Sequence, residues 1–228
     1  MRRGRPRAGE QEQRRERVLD AALGQLIDDG YESVTMQRIA ARAGASKETL
    51  YAWFGSREGL LQALIERNAD HSARRIDAAL HRSAPVPATL TGYAVGLLTL
   101  LTSPASVALN RAAMTSPRLA ELLLRAGRHR VGPLVEQYLG RLHATGQLHA
   151  PDPAAAFRLL YGLVVQDTQI RVLLGESPPA GDDIARHAAV AVERFLELSR
   201  PVPPPRTEAG PDEGVGQSAP ASPPSRQT

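Results

Sequence analysis

The 228-residue chain has no cysteine, nine aromatic side chains and one lysine among its 28 basic residues. Without cysteine there is no disulfide framework, iron–sulfur cluster, Cys-bearing zinc finger or thiol nucleophile. No apolar run approaches the ~20 residues of a membrane helix, and the best one, Tyr93 to Leu101, is far too short. There is no glycine-rich phosphate loop and no nucleophile elbow. The six histidines (His71, His81, His129, His143, His149, His187) lack the i, i+4 pairing of a helical zinc site. These absences argue against an enzyme, and neither a cofactor nor a metal is expected. The length suits one ordinary domain, or one with a small appendage, and the expectation is a soluble, cytoplasmic protein with no membrane partner.

What charge there is has a location. Residues 1–17 hold seven arginines and three glutamates, so the whole formal net charge of +4 sits there and the remainder is balanced. A secretory signal would continue with apolar residues, whereas Glu10, Glu12, Arg14, Arg15, Glu16 and Arg17 follow, so export is not expected. A basic arm suits a polyanion, and Arg2, Arg3, Arg5 and Arg7 are candidates for an adjacent DNA minor groove; a merely solubilising tail is the alternative. At the other end, residues 200–228 carry eight prolines and no aromatic side chain, which predicts a disordered proline-rich tail.

Between these ends every periodic segment is helical. Leu19, Ala22, Leu23, Leu26 and Ile27 predict a first helix over 12–29, closed by Gly30. Thr35, Ser46 and Ser56 are N-caps for three more, the last running to about His81. Pro85 and Pro87 mark a boundary, and Ser103-Pro104, Ser116-Pro117 and Asp152-Pro153 each place a cap before a proline at the first helical position. Helices over 87–102, 104–114, 117–145, 153–174 and 182–199 follow. Nothing alternates with period two, so the fold class is all-α with about nine helices.

The second and third helices are short and meet at Gly44-Ala45, the spacing of a helix-turn-helix. Ala40 and Ala43 permit close approach, while Ile39, Leu50 and Phe54 supply surface to pack on Leu23, Leu26 and Ile27. That leaves Lys47, Glu48, Thr49, Tyr51 and Ala52 on the free face of the third helix. Glu48 can accept from cytosine, and Thr49 can meet thymine through its hydroxyl or methyl. Ser46 caps the helix and is placed to donate to phosphate; Gln37 and Arg38 reach toward the backbone or a base edge. A solvated helix face is the bland alternative for this set.

Tyr31-Glu32-Ser33-Val34-Thr35, Ile39-Ala40, Ala43 through Tyr51, Phe54 and Ser56-Arg57-Glu58-Gly59-Leu60-Leu61 resemble the DNA-binding domain of TetR-family (TetR/AcrR) transcriptional regulators. The resemblance implies that Thr35 and Tyr51 bond phosphate, that Lys47 takes phosphate or guanine, and that Arg57 contacts phosphate. Trp53 departs from the family's usual His or Tyr and is assigned either to packing or to an indole N–H bond to phosphate. The division it implies is a basic disordered arm at 1–11, a DNA-binding domain at 12–60, a helical ligand-binding and dimerisation domain at 61–199, and the tail at 200–228.

Over that second domain the chain resembles the AefR-like branch of the family. The helix over 153–174 is apolar on two faces, through Phe157, Leu160, Tyr161, Val164 and Val165 and through Leu159, Leu163 and Ile170. With 182–199 it is expected to form an intermolecular four-helix bundle, unless both are central helices of a monomer core. Met114, Tyr93, Tyr138, Phe157, Tyr161, Leu97, Leu101, Leu123 and Leu160 are candidates for an apolar pocket, with Arg111 or His129 for a polar group, but core packing is the preferred use of most of them and no ligand-binding residue is assigned. The family mechanism implied is a homodimeric repressor on a palindromic operator in double-stranded DNA, released by a small apolar or amphipathic effector. A DNA-binding protein without a ligand, and a helical enzyme or protein-interaction module with degenerate DNA binding, stay open as alternatives.

Overall fold

The computed structural model describes residues 8–81 and 84–201. The arginines of the arm at 1–7 and the tail from 202 lie outside the described residues. Helix α1 (Ala8–Asp29) begins four residues earlier than expected, so residues 8–11 belong to it rather than to the arm. Gly30, at φ 75°, ends it, and a single 3-10 turn (Tyr31–Ser33) follows. Buried Gln25 holds that turn against α1 by donating to the Ser33 carbonyl at 3.1 Å.

Short polar side chains start the next elements. The hydroxyls of Thr35, Ser46 and Ser56 accept the N–H of Arg38, Thr49 and Gly59, opening α2 (Met36–Ala43), α3 (Lys47–Phe54) and α4 (Arg57–Leu80). Beyond α5 (Val86–Leu101), Ser103 caps α6 (Pro104–Met114), Ser116 caps α7 (Pro117–Ala126) and Asp152 caps α9 (Pro153–Val165). A side-chain cap contributes about 1 kcal/mol, and proline gives up no needed donor at the first helical position.

Two expected helices are each divided. The segment 117–145 breaks at Gly127 into α7 and α8 (Arg128–Ala144), where a Cβ would lie 2.8 Å from the Leu123 carbonyl oxygen. The segment 153–174 breaks at Gln166, which sits at φ 44°, giving α9 and a short α10 (Thr168–Leu173) before α11 (Gly181–Leu198). Among the described residues there are no strands, and the all-α expectation holds.

Two hydrophobic cores form. The first joins Leu19, Ala22 and Leu26 of α1 to Ile39 of α2, Leu50 and Phe54 of α3, and Leu60, Leu61, Leu64 and Ile65 of α4. It also takes in Leu109 and Ala112 of α6 and Leu119 and Leu122 of α7, so it extends well past residue 60. The second core joins Ile76 and Leu80 of α4 to Leu90, Tyr93 and Leu98 of α5, Val135 and Leu139 of α8, Leu160 and Val164 of α9, and Ala188, Val192 and Phe195 of α11. Helix α4 serves both. Arg67, near its middle, ties it to α1 through Glu16 (3.0 Å) and Asp20 (2.8 Å), with the arginine side chain only 11% exposed.

Candidate nucleic-acid interface and cavity

The α2–α3 turn is closed by backbone alone. Gly44 adopts the left-handed conformation (φ 61°, ψ 39°), and the Ala45 N–H donates to the Ala40 carbonyl at 3.0 Å, as in a Schellman motif. Ile39 and Leu50 are fully buried on one side of the turn. The outer face of α3 is thereby held in a fixed orientation against α1 and α4.

On that face Ser46, Lys47, Glu48 and Tyr51 are exposed, Tyr51 by 48%. Thr49 is half-buried, with its hydroxyl 3.0 Å from Ser46 Oγ. Glu48 lies in the first turn, and its carboxyl is held below the ordinary carboxylate range by its own backbone N–H, then by Ser46 and Lys47. It therefore remains an ionised acceptor at neutral pH, suited to a cytosine amine and unsuited to phosphate. Thr35 and Gln37 are exposed at the start of α2.

Three sequence candidates make contacts within the fold. The Arg57 guanidinium turns into the fold, stacks on the Tyr31 ring at 4.2 Å and donates to the Tyr31 carbonyl, bracing the 3-10 turn. Arg38 donates to Asp29 at 2.7 Å and is 54% exposed, which ties α2 to the end of α1. Trp53 is half-buried against the first core, edge-on to Phe54 with ring centroids 6.4 Å apart. Sequence gives no local sign of these pairings, because Asp29 and Tyr31 approach only through tertiary folding.

A second feature lies between the two cores: a cavity of about 460 Å³ bordered by α4 to α10. Tyr93, Leu97, Leu101, Leu123, Phe157 and Tyr161 line it, as the pocket reading expected. Tyr138 and Leu160 are core residues, Met114 is 65% exposed, and Arg111 donates to the Leu173 carbonyl at the end of α10, so these four leave the list; His129 does not line it either. The wall that sequence reasoning missed is α4, where Ile65, Asn68, Ser72, Arg75 and Ile76 fall on one stripe. The signal was polar residues at three- to four-residue spacing within an otherwise apolar face.

A helix-turn-helix with its third helix turned to solvent, carried on an all-helical second domain, defines a DNA-binding regulator. Comparison with known proteins agrees. The profile described as "Bacterial regulatory proteins, tetR family" matches residues 18–64, and that of "AefR-like transcriptional repressor, C-terminal domain" matches residues 88–198. The HTH-type transcriptional repressor KstR of Mycobacterium tuberculosis is 36% identical over 119 residues, 51% of this chain and 47% of the relative. The chain thus spans about half the length of the curated relatives it matches. A TetR transcriptional regulator of Agrobacterium tumefaciens superposes with TM-score 0.66 at 34% identity, covering 81% of this chain and 94% of the other. A TetR-family regulator of Mesorhizobium loti gives TM-score 0.76 at 24% identity over 83% and 98% of the two chains, a likeness of fold. The chain belongs to the TetR family of transcriptional regulators.

Proposed function

We propose that the protein is a homodimeric, cytoplasmic repressor that holds a palindromic operator through α3 and releases it when a small molecule enters the cavity. The observation that carries this reading is the exposed, rigidly mounted face of α3, with Lys47, Glu48 and Tyr51 outward and Leu50 anchoring it from behind. Lys47 supplies the cation for phosphate or guanine, Tyr51 and Thr35 position the backbone, and Glu48 and Thr49 read bases. Ser46 acts first as the cap of α3, and Gln37 is the exposed residue of α2 best placed to assist. Two such helices about 34–36 Å apart meet successive major grooves.

Dimerisation is assigned to the α9–α11 face, where Leu159, Ile170, Leu174, Val190 and Leu198 are all at least 40% exposed, Leu174 by 81%. That concentration of apolar surface on neighbouring helices suits a second copy and a four-helix bundle. Release by an effector requires that the effector bind the DNA-incompetent arrangement more tightly.

The test is binding of the purified protein to the intergenic DNA beside its own coding region, titrated in salt, with a Lys47→Ala/Tyr51→Ala double variant alongside. Specific binding that weakens with salt and disappears in the double variant supports the reading. Binding no tighter than to random DNA there and in a genome-wide selection overturns it.

A further inference from the structure

The charge of the cavity wall is one-sided. Its lining contains Arg75, Arg128 and His71 but no aspartate or glutamate. Among the described residues neither arginine has a carboxylate partner, whereas nearby Arg67 and Arg130 are both paired, the latter with Asp70. Arg128 is nevertheless held in place, its guanidinium 4.5 Å from the Tyr161 ring and 5.5 Å from Phe157, both lining residues. A cation fixed on aromatic faces without an anion is a preformed half of an ion pair.

Two further polar residues border the cavity without adding negative charge. Asn68 borders the cavity, although its Nδ2 itself is covered by protein and has no partner. Tyr93 is 2% exposed, and burial pushes its phenol well above the ordinary range, so the hydroxyl keeps its proton. The remaining wall, including Ile65, Leu97 and Leu101, is apolar, and the volume is that of a small-molecule site.

We infer that the cavity takes an amphipathic anion, an apolar body ending in one carboxylate or phosphate that lies between Arg128 and Arg75. This rests on the reading of the cavity as the effector site and adds the chemical class of its ligand.

The test uses the full chain and four probe series of matched length from eight to sixteen carbons: saturated fatty acids, alkyl phosphates, primary alcohols and alkylammonium ions, each titrated by calorimetry. The expected result is that an acid or a phosphate binds at least about tenfold tighter than its alcohol, a difference of ~1.4 kcal/mol, and that the ammonium series binds weakest. Whichever anionic series is tighter identifies the head group. An Arg75→Gln/Arg128→Gln variant should lose that preference while still binding the alcohol, and Arg128→Lys should keep part of it. Both arginines are exposed, and unchanged circular dichroism verifies folding. Alcohols and ammonium ions binding as tightly as acids, unaffected by the arginine variants, would overturn the anionic assignment and leave the cavity a neutral site. If no probe of any series binds, both the assignment and the effector-site reading fall.

Discussion

Lys47 and Arg57 are both cations within the same motif, and the structure places them differently. Lys47 is exposed on α3, while the Arg57 guanidinium is spent on the Tyr31 ring and carbonyl. Counterion release distinguishes them, because each neutralised phosphate contributes about one to the slope of log affinity against log salt. Lys47→Ala should reduce that slope by about 1 per protomer and leave the urea midpoint in place. Arg57→Ala should do the reverse, lowering stability by about 1–2 kcal/mol with the slope unchanged. A loss of slope in Arg57→Ala would restore it to the phosphate contacts. Gly59 is the second residue whose identity is dictated by neighbours, since a Cβ there would collide with the Phe54 carbonyl oxygen. Gly59→Ala should therefore destabilise by about 2 kcal/mol, the scale of overpacking in a tight site. An unchanged denaturation midpoint would show that the α3–α4 junction can open without cost. The motif made Gly59 visible as part of Ser56-Arg57-Glu58-Gly59, but its reason is a contact across the turn that no spacing rule reveals.

At the scale of elements, the starts marked by a cap and a proline are legible in the sequence and the helix breaks are not. The pairs Ser103-Pro104, Ser116-Pro117 and Asp152-Pro153 each begin a helix where expected, because cap and proline act within one turn of chain. The break at Gly127 has a distant cause. Leu119 and Leu122 of α7 belong to the first core while Val135 and Leu139 of α8 belong to the second, so the chain must turn between them. The break at Gln166 follows the same logic: α9 packs into the second core, whereas the end of α10 is held by Arg111 of α6. Turning there forces a non-glycine residue to positive φ, which costs of order 1–3 kcal/mol. Gln166→Gly is thus expected to raise stability by about 1 kcal/mol after the glycine's greater unfolded-state entropy is counted, read as a higher urea midpoint. A lower midpoint would mean that the Gln166 side chain makes a contact worth more than the strain.

For the whole molecule, the placement of α4, α6 and α7 joins the cavity to the DNA-binding face. Ile65 and Leu109 lie in the first core and also border the cavity, and Leu123 packs against that core from the cavity wall. A ligand pressing on these side chains presses on the core that supports α3, with no intermediate element required. Arg67 adds a second link, fastening α1 to α4 one residue from Asn68. A division at residue 60, read from the motif alone, hides this, because the sharing arises when α6 and α7 fold back onto residues more than forty positions earlier. Such an arrangement predicts linkage in both directions: the factor by which an effector weakens operator binding must equal the factor by which operator DNA weakens the effector. For this family member the expected coupling is about 5–150-fold, measured by calorimetry of the tightest cavity probe with and without a saturating operator duplex. Leu101→Trp should imitate the occupied state, since Leu101 lines the cavity and an indole there would take the space of a ligand. Its operator affinity should fall and its probe binding disappear together while helicity is retained. If probe binding is lost but operator affinity stays at the wild-type value, the cavity is filled without consequence for α3, and the shared core does not carry the signal.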